Sequence, residues 1–176
     1  MDDRVGKGKT MMNINVNGKE YKVEFSFGAA ECKEIVQKMF EYMSGSYLSV
    51  IATAATKNES EVARLALNTL GEATSKVPET CITAIYAGCI DNNPVAMDEA
   101  KELTRAYIAE KRKTDKKYNY TSLFEEIKEC MKDDGFFDLS GITEMVESIT
   151  SGLAEMNQTK PAVIPQDHQK KQTSTK

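Results

Sequence analysis

Four cysteines, Cys32, Cys81, Cys89 and Cys130, and a single histidine, His168, are the side chains of this 176-residue sequence best suited to nucleophilic or metal chemistry. No two cysteines form a Cys-x-x-Cys pair, so a zinc knuckle lacks even its first half. Each falls on the apolar stripe of a helix that the periodicity predicts, where a free thiol packs as a small hydrophobe. His168 belongs to a stretch predicted to be unstructured and cannot be held as the base that a cysteine nucleophile needs. Gly6-Lys7-Gly8-Lys9-Thr10 has the closing Gly-Lys-Thr of a phosphate-binding loop. That motif requires its first glycine at position 3, where Asp3 stands, and a preceding strand for which there is no room. The carboxylate pairs Glu125-Glu126 and Asp133-Asp134 sit on charged helix faces, with no apolar pocket that would raise one pKa for acid catalysis. No catalytic residue, metal site or cofactor is expected, and the protein is read as a non-enzyme.

Two further clusters point to binding. Lys111-Arg112-Lys113 and Lys116-Lys117, with Tyr118 and Tyr120, mix cations and aromatics as single-strand nucleic-acid binders do. The same residues equally suit a helix C-terminus, where cations complement the dipole and tyrosines pack beneath the next helix. Phe136-Phe137, after Gly135, reads either as an exposed docking knob or as a turn tucked into the core. The charge balance bears on the first cluster. The formal net charge of −4 comes from +1 over residues 1–10, +3 over 157–176 and −8 over the body, 11–156. A body that acidic repels phosphate backbones, so nucleic-acid binding is disfavoured. The longest apolar run, Cys81–Ile90, is far short of the ~20 residues that cross a bilayer, and the charged N-terminus has no secretory h-region. A membrane partner is not expected, and the thiols are read as reduced in a cytosol.

The elements that would position these residues follow from periodicity. Residues 1–10 read as a flexible leader, 11–156 as one globular domain, and 157–176 as a disordered tail with two prolines and few apolar residues. Within 11–27, Met12, Ile14 and Val16 alternate with asparagines, and Tyr21, Val23 and Phe25 alternate with charges. Asn17-Gly18 between them is the favoured pair for a type I′ turn. The two-residue loop pairs Val16 with Lys19, Ile14 with Tyr21 and Met12 with Val23, placing Met12, Ile14, Tyr21 and Val23 on one face. Helical period takes over afterwards. One helix is expected over 29–44 with Gly45 as its stop, a short one over Tyr47–Thr56, and another over Ser60–Ala73. Pro78 suits the first turn of a helix carrying Cys81, Ile85 and Cys89, and Pro94 the opening of one over 95–113. A capping box from Ser122 to Glu125 opens a helix to about Asp133, and a last helix spans about 140–156. The fold class is α+β: an N-terminal β-hairpin on a mainly α-helical bundle of six or seven helices, with a loose C-terminal tail.

The run MNINVNGKEYKVEFSFGAA, a strand, Asn-Gly-Lys-Glu-Tyr, a strand ending in Phe-x-Phe-Gly and a helix, resembles the start of the tail assembly chaperones of long-tailed bacteriophages. Val77–Ile90, leading into Pro94 and another helix, looks like that family's middle segment, so the likeness covers roughly 12–135. The charged leader and the long last helix with its tail depart from the pattern. The resemblance implies a non-enzymatic protein of the infected bacterium's cytoplasm that is not carried in the mature virion. It would coat the tape measure protein, keep it soluble and recruit tail tube subunits; a longer form made by ribosomal frameshifting is also implied. Val16, Phe25, Phe27, Phe136 and Phe137 are the candidate partner-binding residues, with self-association through the hairpin edges. Met39, Met43, Met97, Met131 and Met145 suit adaptable contacts with a helical client, or else fill the core. The alternative is a small helical nucleic-acid-binding or host-directed regulatory module.

Overall fold

The computed structural model describes residues 12–16, 18–55 and 59–158. The predicted leader with its Gly-Lys-Gly-Lys-Thr, and the tail from 159 with His168, lie outside them. Strands β1 (Met12–Val16) and β2 (Lys19–Val23) form an antiparallel hairpin, followed by α1 (Phe27–Glu31), α2 (Lys33–Ala55), α3 (Glu59–Gly88), α4 (Met97–Thr114), α5 (Tyr120–Asp133), α6 (Phe136–Leu139) and α7 (Ile142–Gln158). The strand register is the expected one, Val16 opposite Lys19, Ile14 opposite Tyr21 and Met12 opposite Val23. Gly18 adopts φ +78°, the positive value the turn requires. Met12, Ile14, Tyr21 and Val23 are buried while Asn13, Asn15 and Glu20 are exposed, as alternation on a half-covered sheet demands.

The helix boundaries depart from local punctuation. Gly45 does not stop a helix: α2 runs through it for 23 residues. Nor does Pro78 begin one, since α3 is a single 30-residue helix with Pro78 inside it. An internal proline removes one rung and costs roughly 3 kcal/mol. Buried Val77, Cys81, Ala84 and Ile85, on one face around that position, outweigh the penalty. The hydroxyls of Thr80 and Thr83 meanwhile donate to the carbonyls of Lys76 and Glu79, at 3.0 and 2.9 Å. The expected helix over 29–44 is interrupted at Cys32, which is extended (ψ 99°) and ends α1. Its carbonyl accepts from Val36 N–H at 3.2 Å, so Cys32 also opens α2 and lies half-buried between two helices rather than on one stripe. Pro94 precedes α4 by three residues instead of opening it. The capping box is also displaced. Asn119 caps α5, its Oδ1 accepting from Thr121 and Ser122 N–H at 2.9 and 3.1 Å, and Ser122 is the reciprocal partner.

One core joins the hairpin face to α1–α7, and it includes Phe25, Ile35, Met39, Ile85, Leu123, Ile127, Met131, Phe136 and Ile142. The hairpin is seated on the C-terminal end of α3. Glu24 N–H donates to Gly88 O at 2.8 Å, and a side chain at Gly88 would run into Val23. Replacing Gly88 with Ala should therefore lower stability by about 1–3 kcal/mol through overpacking. Gly45→Ala, in a helix with nothing within 4 Å of the added methyl, should raise it by about 0.5–1 kcal/mol. Urea unfolding of the two variants checks the opposite signs; two changes of the same sign would contradict the assigned packing.

Candidate functional site

The five aromatic and aliphatic candidates separate. Phe25 and Phe136 are fully buried, their rings edge-to-face at 6.0 Å, so neither offers a docking surface. This corrects the expectation for both; Phe136 is the tucked-in turn and not the knob. Val16 is half-buried. Phe27, at 70% exposure, lies open to solvent on α1. Phe137 packs edge-to-face on Phe136 at 5.6 Å with its outer side lining a groove. The five methionines divide likewise. Met131 is core, Met39 and Met43 line the groove, and Met97 and Met145 are 40% and 47% exposed.

The groove, about 460 Å³ in volume, runs between α2 (Met39, Tyr42, Met43), α5 (Glu125, Lys128, Glu129, Lys132), the turn into α6 (Gly135, Phe137, Asp138) and the start of α7 (Thr143). Gly135, at φ +76°, supplies the left-handed residue that turns α5 into α6 and brings Phe137 to the groove. Its floor is apolar, with Met39 fully buried and Met43 half-buried. One wall is fixed by Lys128, whose ammonium sits 5.1 Å above the rings of both Tyr42 and Phe124. Lys128 also donates to Glu125 at 2.8 Å and to the Tyr42 hydroxyl at 3.3 Å. Burial opposes its charge, but Glu125 and Tyr42 outweigh that and hold the Lys128 pKa above the ordinary lysine value. Tyr42 and Phe124 meet edge-to-face at 4.8 Å. Across the opening, Thr143 Oγ1 donates to Asp138 at 2.8 Å. A methionine floor, a rigid aromatic wall and a rim of mixed charge suit a row of apolar side chains from a helix rather than a small polar substrate. Met39, Met43 and Phe137 of this groove were legible as candidates; Lys128, Glu129 and Lys132 on α5 read locally as solvated charge.

The basic–aromatic stretch is spent internally. Lys111 donates to Glu126 Oε1 at 3.1 Å, and Tyr107 donates to the other oxygen at 2.9 Å. The Lys111 ammonium lies 5.0 Å from the Tyr107 ring and 5.7 Å from that of Tyr118. Arg112 donates to the Tyr118 carbonyl at 3.0 Å, and Lys113 pairs with Glu110 one turn back. Tyr118 is buried, so its face cannot stack a base. Burial, followed by the Glu126 carboxylate, pushes its hydroxyl far above the ordinary tyrosine range. Lys116 and Lys117 are exposed.

Among the described residues no three His, Cys, Asp or Glu side chains cluster as metal ligands, and no helix is long and apolar enough to cross a membrane. The chain matches no protein-family model, no curated protein and no solved structure. Burial pushes the Cys81 thiol up to about 12. It also pushes Cys89 and Cys130 up to about 11, with lesser contributions from Glu99 and Asp134 respectively. Such thiols are inert as nucleophiles at neutral pH, and they set a pH dependence. Their folded values exceed the unfolded value of 9.0. Stability from this source is thus complete below pH 9 and is lost as pH rises towards the folded values. Urea midpoints should hold from pH 7 to 8.5 and then fall, at about 1.4 kcal/mol per pH unit for each thiol ionised only in the unfolded chain. A profile flat to pH 10.5 would mean the thiols are not buried as described.

Proposed function

We propose that this protein is a non-enzymatic tail assembly chaperone of a long-tailed phage, acting in the cytoplasm of the infected bacterium. It holds the tape measure protein soluble through contacts with that client's helices, and recruits tail tube subunits. The observation that carries the reading is the groove between α2, α5, α6 and α7, with Met39, Met43 and Phe137 inside and charged side chains at the rim. A tape measure is a long helical client, and many weak apolar contacts with an adaptable floor suit it better than one tight, specific pocket. Phe27, Met97, Leu139 and Met145 add apolar area outside the groove. The resemblance of residues 12–135 to the tail assembly chaperones supports the same reading. The internal engagement of Lys111, Arg112 and Lys113 takes support from the nucleic-acid alternative.

Co-expression with a tape measure protein tests the proposal: the client should become soluble with this protein and remain insoluble without it. Met43→Glu, at a half-buried groove position, should leave the melting temperature within a few degrees. The same change should weaken client binding about tenfold, or roughly 1.4 kcal/mol. A client that stays insoluble with the native chain would refute the function. Solubilisation untouched by Met43→Glu would remove the groove from it.

A further inference from the structure

The sequence of β1, Met-Asn-Ile-Asn-Val, has no charge and no proline, and it pairs with β2 residue for residue without a bulge. Edge strands ordinarily carry one of these devices, because a row of free N–H and C=O groups invites another strand. β2 is treated differently. With Val16–Lys19 as the hydrogen-bonded pair next to the two-residue turn, the alternation of an antiparallel ladder turns Lys22 and Glu24 outward. Their N–H groups are taken by Asn93 Oδ1 at 3.0 Å and Gly88 O at 2.8 Å. The same alternation points the N–H and C=O groups of Asn13 and Asn15 away from β2. Among the described residues no hydrogen bond from another element reaches these four groups. The β2 edge thus has two of its N–H groups bonded by the protein, whereas among the described residues the β1 edge has its outward backbone groups unused.

We propose that this edge takes a second copy of the chain, β1 against β1 and antiparallel, giving a four-stranded sheet across a two-fold axis. The two-fold register that uses all four groups centres on Ile14, with Asn13 of one copy opposite Asn15 of the other. It forms four N–H···O=C bonds, while Ile14 stays buried in the core of its own copy. On the exposed face each row then reads Lys22, Asn13, Asn15 of the second copy, Glu20 of the second copy, since Asn13 lies opposite Lys22 and Asn15 opposite Glu20 in the hairpin. Each row is neutral, with opposite charges at its two ends. In a body of net charge −8, this uncharged strand is a place where two copies can approach without acidic repulsion. An edge-to-edge contact of this length is small, so the dimer is a weak, concentration-dependent one. The inference concerns the isolated chain and does not rest on the proposed function.

Sedimentation velocity on the full chain, from about 10 μM to about 1 mM to span weak interfaces, tests it with two surface variants. In N13E/N15K the new charges face opposite charges across the two-fold axis, and also face Lys22 and Glu20 within the hairpin. In N13E/N15E, Glu faces Glu at both symmetry-related pairs. The native chain and N13E/N15K should dimerise, and N13E/N15E should dissociate at least tenfold more readily while its thermal melt shows it folded. A native chain that remains monomeric at the highest concentration overturns the proposal, whether the edge is covered by other residues or reserved for an extended segment of another protein. Dimerisation that both variants leave equally intact overturns it too, because the contact must then lie elsewhere.

Discussion

A two-stranded hairpin cannot stand alone in water, because it has one face to bury and two edges to satisfy. The path of the chain from Lys22 to Gly28 is where this protein meets that constraint. Lys22 N–H is held by Asn93, Glu24 N–H by Gly88, Phe25 N–H by Asp134 at 2.8 Å, and Gly28 N–H by Asp91 at 3.0 Å. The Ser26 hydroxyl also donates to Asp91. Four acceptors from two distant places, the end of α3 with the turn that follows it and the residue just after α5, thus fix one short connector. Everything downstream inherits the geometry. Phe25 is aimed at Phe136, Gly28 permits the close approach of Asp91, and α1 is oriented before α2 begins. The Ser26 hydroxyl and Gly28 N–H hold the Asp91 carboxyl below the usual aspartate range, so the anchor is a charged acceptor.

The hairpin was legible in the sequence to the residue because its information is local: alternation sets the faces and Asn17-Gly18 sets the register. The helix ends were not, and for one physical reason. Glycine at 45 and proline at 78 carry penalties of about 1 and 3 kcal/mol, which decide a boundary only where packing on both sides is indifferent. Around Pro78 it is not indifferent, with Val77, Cys81, Ala84 and Ile85 all buried. The reverse happens at Cys32, where no breaker is present yet α1 ends, its backbone extended at ψ 99° before α2 begins. Asn119 was available as a cap by residue type, but Ser122 and Glu125 match the commoner box spacing and drew the prediction three residues too far. The groove was half legible. Met39 and Met43 stand out on a stripe, whereas its α5 wall depends on a contact between Lys128 and Tyr42, 86 residues apart, that no local pattern encodes.

Two lysines of this acidic protein are handled alike. Lys111 lies over Tyr107 and Tyr118 with Glu126 as its anion, and Lys128 lies over Tyr42 and Phe124 with Glu125. Each ammonium is the electrostatic partner of two ring faces and one carboxylate. Burial disfavours the Lys111 charge, yet Tyr107 and Glu126 outweigh it and hold its pKa above the ordinary value. Such cations serve as spacers between helices: they tie α4 to α5 at one point and α2 to α5 at another, leaving α5 clamped on both flanks. A basic–aromatic stretch in sequence is therefore ambiguous until the anion that faces it is known, and here α5 supplies that anion in both cases.

The clamping of α5 bears on how the groove can work. Its charged wall is anchored through Lys128 to rings that belong to the core, and its buried methionine, Met39, is fixed by packing. The parts free to adjust are Met43, half-buried, and Phe137, carried on the four-residue α6 between two left-handed glycines, Gly135 and Gly141. α6 itself is held in place, because Phe136 next to Phe137 is fully buried against Phe25, so the adjustment available to the groove is that of the Met43 and Phe137 side chains. Apolar side chains of different sizes can then occupy the same groove at similar free energy. In the proposed role that tolerance outranks affinity: a chaperone holding successive, non-identical turns of one long helix must accept each of them and later release all of them. A deep, closely fitted pocket would bind one turn tightly and leave the others in water.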